Sequence, residues 1–344
     1  MTVDLRSDTV TRPTPAMLSE MAAAETGDDL YGEDPTVHAL EQRVAELLGK
    51  EAGLFTVSGS LANLLGVGAH VRPGQEVLCE ERAHVVRAEL GAHAVWQGVT
   101  TRTWWHPQGQ IDLNAVRRML SLNTGPFPLP TGAVTVENTH NFAGGTVQPL
   151  ADLRALYDLV QGTDVKLHLD GARLWNAHVA TGISPATYAS YFDTVSVCLS
   201  KGLGAPVGSC LVGRADVIAA AREGRRRLGA GWRQAGVLAA AGLYALEHHR
   251  ERMAEDHTNA RVLVEMLAGS GVVNPAAVET NIVVLDTSVV GLDATELVAR
   301  ARTEDVLVGA LGPSTVRLVT HLDVTADDCR KAGETLARLL AKGA

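Results

Sequence analysis

Between Leu54 and Gly213 short apolar runs alternate with helical ones, and this alternation limits the possible folds more than any other feature. The runs LFTV, EVLCE, AVTVEN, VKLHLD, TVSVCLS and SCLVG have strand length. Segments such as LANLLGVGAHV and ALYDLVQG lie between them and carry apolar residues at helical spacing. Strands joined through helices pair in parallel, because each crossover helix covers a sheet face. The expected class is α/β, with a largely parallel sheet between helices.

The flanks read differently. The first dozen residues look extended and run into Arg12-Pro13-Thr14-Pro15. A helix follows Asp34-Pro35-Thr36, with Val37, Leu40, Val44 and Leu48 on one face and Gly49 at the C-cap position. After Gly213 the chain turns Ala/Leu/Arg-rich and helical from 214 to 227 and from 233 to about 268. The tail then reads as strand (NIVVLD), helix (ATELVARAR), paired strands (VLVGALG, TVRLVTH) and a last amphipathic helix over 327–340. The expected division is an N-terminal arm (1–15), a large domain (16–240) and a small α+β domain (241–344).

Charge and cysteine content exclude several classes. The formal net charge of −9 opposes a nucleic-acid partner, which needs a basic footprint. The one basic run, Arg225 to Arg227, reads as the solvated end of a helix. Cys79, Cys198, Cys210 and Cys329 form no CxxC pair and suit buried, reduced thiols. An intracellular, cytoplasmic protein is expected. The stretch MTVDLRSDTV has no apolar signal-peptide core, and no apolar run reaches the ~18–20 residues that would cross a bilayer.

The stretch DTVSVCLSKGLGAPVGS carries the chemistry. Lys201 leaves a buried strand and enters a glycine-rich loop. Burial lowers an ammonium pKa and makes a lysine able to form Schiff bases. Taken alone, it is a common solvent-facing strand end. However, the strand VKLHLD ends at Asp170, followed by Gly171, Ala172 and Arg173. Ends of parallel strands open into one crevice, so an acid and a lysine would share it. Such an acid can keep a heteroaromatic nitrogen protonated, and the pair is minimal equipment for pyridoxal phosphate. Ser58-Gly59-Ser60, between a strand and a helix, offers amides to a phosphate or is simply a serine N-cap. The spacing GLGAPVG departs from a dinucleotide fingerprint, and no HExxH or other metal cluster is present. His84 and His140 each follow a strand and could serve as a general base, although most histidines are structural.

Together these stretches make the sequence resemble the L-threonine aldolases of low-specificity type, pyridoxal-phosphate enzymes of the aspartate-aminotransferase-like fold (fold type I). The matching motifs are RSDTVTRPTPAM, GDDLYGEDPTV, SGSLANLL, VENTHN, HLDGARLWNA, LSKGLGAPVGS, WRQAGVLAAAG and RLVTHLDVT, in family order over nearly the whole chain. The resemblance implies a mainly parallel seven-stranded sheet in the large domain. It implies that Lys201 carries pyridoxal phosphate, Asp170 meets the pyridine nitrogen and His84 stacks on the ring. Ser58, Gly59 and Ser60 would hold the phosphate, with Arg173 beside the cofactor. Ser7, Arg173 and Arg317 would grip the substrate carboxylate. His84 or His140 would take the β-hydroxyl proton. No metal is implied. The implied reaction cleaves a β-hydroxy amino acid to glycine and an aldehyde in a homo-oligomer, a dimer of dimers. β-Elimination or racemisation on the same scaffold is the alternative, and a cofactor-free regulatory protein is a reading of another class. Two departures stand out. Ser60 replaces the family's frequent threonine and keeps the hydroxyl, whereas GAGWRQ replaces GGGMRQ and adds bulk at a usual subunit contact.

Overall fold

Twelve strands organise the chain, seen in a computed structural model that describes residues 2–121, 127 and 129–341. β1 (Val3–Asp4) belongs to the N-terminal arm. β2 (Ala52–Thr56), β3 (Glu76–Glu80), β4 (Thr100–Trp104), β5 (Thr131–Glu137), β6 (Lys166–Gly171), β7 (Thr194–Cys198) and β8 (Ser209–Gly213) build the main sheet. β9 (Ile282–Asp286), β10 (Val306–Leu307), β11 (Gly309–Gly312) and β12 (Thr315–Val319) follow.

The main sheet has seven strands in the order β2-β8-β7-β6-β5-β3-β4. Only β8 runs against the others. The α/β, mainly parallel architecture is as expected. β4 was not among the expected strands. Its sequence, TTRTW, lacks an apolar run because it is an edge strand, paired only with β3 and partly exposed.

Helix Pro35–Leu48 shows how sequence becomes packing. Asp34 Oδ1 accepts from the Val37 amide at 3.0 Å, and Pro35 supplies the fixed φ of a first helical turn. Val37, Leu40, Val44 and Leu48 are fully buried on one face. Burying each such side chain stabilises by about 1.5–3 kcal/mol, so Leu40→Ala should cost about 2–5 kcal/mol. Gly49 ends the helix at φ +61°, a conformation that a side chain disfavours.

Two apolar cores result. The larger lies around the main sheet and includes Ala235, Ala239, Ala241, Ala245 and Leu246 of the segment leading into and forming helix Gly236–His248. The second starts at Ala260, gathers β9, β12 and the last helix (Ala326–Ala341), and takes in Val3 and Leu5 of the arm. The arm reaches it because β1 pairs in parallel with β10, Val3 opposite Val306. The run VLVGALG therefore splits: β10 serves the arm, and β11 pairs with β12. The helical stretch 233–268 is also broken, into Gly236–His248 and Met253–Leu267. His249 sits at the break, buried, with Nδ1 2.7 Å from the Leu203 carbonyl of the lysine loop.

The basic run is not simply a solvated helix end. Arg225 is fully buried, pairs with Asp29 and donates to the Phe55 carbonyl at 2.6 Å. Arg226 donates to Leu30 O, and only Arg227 keeps to an exposed pair, with Glu223. All four cysteines are buried and unbridged. Among the described residues, no helix is long and apolar enough to cross a membrane.

Candidate active site

Register places acids side by side at the carboxyl edge of the parallel strands. Glu137 ends β5 opposite Asp170 of β6, which in turn lies opposite Ser196 of β7; Glu80 ends β3. Asp170 is buried. Its Oδ2 accepts from Asn63 Nδ2 at 2.8 Å and its Oδ1 from the Ala172 amide at 3.1 Å. Burial, then the Glu137 charge, raise its pKa, while His84 and Lys201 oppose the rise.

Lys201 follows β7 by three residues and is only partly buried. Its charge acts on both Asp170 and Asp8, so strand end and arm converge on it. The arm is fastened there by Thr11 Oγ1, which donates to the Lys201 carbonyl at 3.0 Å. Gly204, at φ +79°, turns the loop beneath Leu322 and His249.

The two histidines differ. His84 is part-buried; its amide donates to Glu137 Oε2 at 2.7 Å, and its Nδ1 lies 2.9 Å from Glu89 Oε1. Burial would lower its pKa, but the Glu89 hydrogen bond and the charges of Asp170 and Glu137 raise it on balance. Burial, outweighed by His84, His93 and Asn63, leaves Glu89 with a pKa of about 2. His140 is wholly buried, with Nε2 3.1 Å from Glu80 Oε2. His84, Glu89 and Asp170 offer ligand atoms within 4.8 Å of one another, but both carboxylates already accept from Asn63.

The arginines also differ. Buried Arg173 is held bidentately by Asp8, at 2.6 and 2.8 Å, and reaches Asn141 Oδ1 at 3.2 Å. Arg317, on β12, donates to Asn141 Oδ1 at 2.6 Å and to Arg6 O at 3.1 Å. Among the described residues it meets no carboxylate within ion-pair distance, and its Nε is buried without a partner. Burial and the neighbouring Arg173 lower its pKa to about 10. Ser7 caps the turn Asp8–Val10, its Oγ accepting from the Thr9 amide at 3.2 Å.

Ser58 caps helix Gly59–Gly68, its Oγ accepting from Leu61 N at 3.2 Å. The amides of Gly59 and Ser60 precede the first intrahelical bond and remain available to an anion. A Cβ at residue 59 would lie 2.8 Å from Cys198 Sγ, so glycine lets this helix start approach the end of β7. The site thus offers a lysine, a buried acid, a part-exposed imidazole and an amide-lined helix start. This donor set fits pyridoxal phosphate. Arg317 is a part-buried cation that meets no carboxylate among the described residues, and so can receive an anion.

Sequence reasoning did not find Asp8, Asn63, Glu89, Glu137 or Asn141. Asn63 was visible as a polar residue inside the apolar run LANLLGVG, which demands buried partners. Asp8 and Glu137 lay inside quoted motifs without a chemical reason attached.

Comparison with known proteins shows the family. Residues 4–289 match the family described as beta-eliminating lyase. The low specificity L-threonine aldolase of Escherichia coli K12 is 40% identical, covering 99% of this chain and 100% of that one. Low-specificity L-threonine aldolase 1 of Arabidopsis thaliana is 40% identical over 95% of this chain and 93% of its own. An uncharacterised Caenorhabditis elegans protein is 46% identical over 77% of this chain, which spans 64% of that protein, less than two thirds. A Leishmania major threonine aldolase structure shares the fold, with a TM-score of 0.84 at 21% identity over 98% of this chain and 99% of the other. The chain belongs to the beta-eliminating lyase family of pyridoxal-phosphate enzymes, among the low-specificity L-threonine aldolases.

Proposed function

We propose that the protein cleaves β-hydroxy-α-amino acids, L-threonine and L-allo-threonine among them, to glycine and an aldehyde, using pyridoxal phosphate. The observation that carries this reading is Arg317: a part-buried guanidinium that meets no carboxylate among the described residues, near the edge where Asp170 and Lys201 interact.

In this reading Lys201 tethers the cofactor, and the amides of Gly59 and Ser60, with the Ser58 and Ser60 hydroxyls, hold its phosphate. Asp170 would face the ring nitrogen as acceptor, and His84 would lie beside the ring. Bound there, pyridoxal phosphate supplies an electron sink for the pair left at Cα when the Cα–Cβ bond breaks. Arg317 grips the substrate carboxylate, with Ser7 close by on the arm. Arg173, engaged by Asp8, anchors the arm and orients Asn141, through which it supports Arg317. His84 takes the β-hydroxyl proton at Nε2, because Glu89 holds the Nδ1 side. Buried His140 is engaged by Glu80 and is the less accessible of the two candidate bases.

We keep the arm (1–15), the large domain and the small domain, but move the expected boundary from 240/241 to the end of helix Gly236–His248, because Ala241, Ala245 and Leu246 of that helix pack in the larger core. The packing of helix Gly236–His248 on the larger core supports a hinge at 249–252. A homo-oligomer, a dimer of dimers in the cytoplasm, is also proposed. The exposed side chains of Tyr31, Trp96 and Trp105 are apolar surface that a subunit contact would cover.

The test is a visible spectrum of the protein with pyridoxal phosphate, before and after borohydride, followed by product analysis with L-threonine. Glycine and acetaldehyde are expected; ammonia and a keto acid would mean β-elimination instead. Lys201→Ala should lose both the reducible band and turnover, and keeping either overturns the reading.

A further inference from the structure

Asn63 sits on helix Gly59–Gly68 with 1% exposure, in a run that is otherwise apolar. A buried amide there is destabilising unless its hydrogen bonds are made. All four are. Nδ2 donates to Asp170 Oδ2 and to Glu89 Oε1, both at 2.8 Å. Oδ1 accepts from Ser196 Oγ at 2.6 Å and faces His168 Nε2 at 3.1 Å.

The chemistry of these groups fixes the direction of the bonds. Ionised carboxylates only accept, so the NH2 of Asn63 must face Asp170 and Glu89. Its oxygen then faces His168, whose Nε2 must carry the hydrogen. Burial holds His168 neutral, its pKa down to about 3, so Nδ1 is an acceptor. The Thr194 hydroxyl, 2.9 Å away, donates to it and accepts in turn from His70 Nε2 at 3.0 Å. Every donor from His70 onward points toward Asp170. The helix leaves room for the chain: a Cβ at Gly66 would lie 2.5 Å from His168 Cε1.

We propose that Asn63 is the positioning residue for Asp170, and that the chain His70–Thr194–His168–Asn63 keeps Asp170 an oriented, ionised acceptor. The inference rests on the function proposed above. Its physical need is plain: Asp170 is buried and faces Glu137 and Glu89 as well as His84 and Lys201. A donor aimed at one carboxylate oxygen favours the ionised form, and linked donors polarise one another. Protonated Asp170 would lose the charge that favours a protonated ring nitrogen and would be a weaker acceptor for its N–H.

The test uses the full-length protein with pyridoxal phosphate bound and reads the visible band against pH, the cofactor Kd, Tm, kcat and KM. Asn63→Leu should shift the spectroscopic midpoint by about one pH unit, tenfold in the equilibrium. It should lower kcat by roughly ten- to a hundredfold with KM nearly unchanged, as for an interaction used in the transition state. Thr194→Val, one link further back and close in shape, should shift the midpoint in the same direction by a smaller amount. Leu64→Ala, a neighbour in the helix outside the chain, should lower Tm and leave the midpoint alone. Wild-type midpoints in both Asn63→Leu and Thr194→Val overturn the proposal, and Thr194→Val decides alone if Asn63→Leu does not fold. A wild-type protein that never gains a borohydride-reducible band overturns the proposed function, and this inference with it.

Discussion

Arg317 and Arg173 share one acceptor, Asn141 Oδ1, at 2.6 and 3.2 Å, but among the described residues Arg173 alone of the two has a carboxylate partner, that of Asp8. Two neighbouring guanidinium groups repel, and burial removes the water that would screen them. The first pair is complete within the chain and joins the arm to the large domain. The second cation is left for an anion from outside.

Arg317→Met should therefore separate stability from function. The variant keeps the stem's packing and removes a part-buried charge without an acid partner among the described residues, so Tm should stay equal or rise. Losing a charge-assisted contact costs about 1.5–3 kcal/mol, hence KM for L-threonine should rise roughly ten- to a hundredfold. The cofactor Kd should not move. A fall in cofactor affinity with an unchanged KM would assign Arg317 elsewhere.

Asp8 should behave in the opposite way. Burial acts to raise its pKa, but Arg173 outweighs it, and the value falls to about 2. A depressed carboxyl pKa contributes stability above the unfolded value, near 3.8, that is lost as pH falls toward 2. The contribution is about 2 kcal/mol. Asp8→Asn leaves Arg173 buried and unpaired, which should cost about 3–5 kcal/mol at neutral pH. It should also remove that part of the acid sensitivity. Urea unfolding at pH 6 and pH 3 measures both; a variant as stable as the parent at pH 6 refutes the anchor.

How much of this was legible in the sequence depends on whether a residue's role is local. Lys201 and Asp170 end strands, so strand pattern and parallel topology brought them together on paper. The helix over 35–48 was readable from its cap, its spacing and Gly49. β4 was not, because an edge strand of threonines carries no apolar run. Arg225 looked solvated because its partners, Asp29 and Phe55, lie about 170 or more residues away. His249 looked like part of one helical stretch from 233 to about 268 because nothing local shows that the helix stops there. Asp8 and Asn63 stayed unnoticed for the same reason: their partners are set by the sheet and the arm, not by neighbours in sequence, whereas Glu89 pairs locally with His84 and His93 and only its link to Asn63 is set by the fold.

The pH profile should report the His84–Glu89 pair. Burial opposes protonation of His84, but Glu89, Asp170 and Glu137 raise its pKa above the ordinary imidazole value. A base works when neutral, so kcat/KM should fall off on the acid side from a midpoint above ~6.5. Glu89→Gln keeps a hydrogen-bond partner but removes the charge. It should shift the acid limb to lower pH, and His84→Gln should abolish that limb. An acid limb at the same pH in Glu89→Gln would show that another group takes the proton.

The last prediction concerns configuration at Cβ. In the proposed site a single cation, Arg317, would hold the carboxylate and the cofactor would hold the amine; together these would fix Cα and exclude D-isomers. The β-hydroxyl has no comparable clamp. His84 presents one nitrogen to it, Nδ1 being held by Glu89, and His140 is buried against Glu80. One part-exposed acceptor can be reached by a hydroxyl of either configuration, directly or through a water. L-Threonine and L-allo-threonine should therefore both be cleaved, with kcat/KM values within about a hundredfold, a preference equivalent to less than ~3 kcal/mol. Measuring both epimers on one preparation decides it. A larger ratio in either direction would mean that the pocket grips the β-substituent by shape, which the arrangement of Arg317, His84 and His140 does not supply.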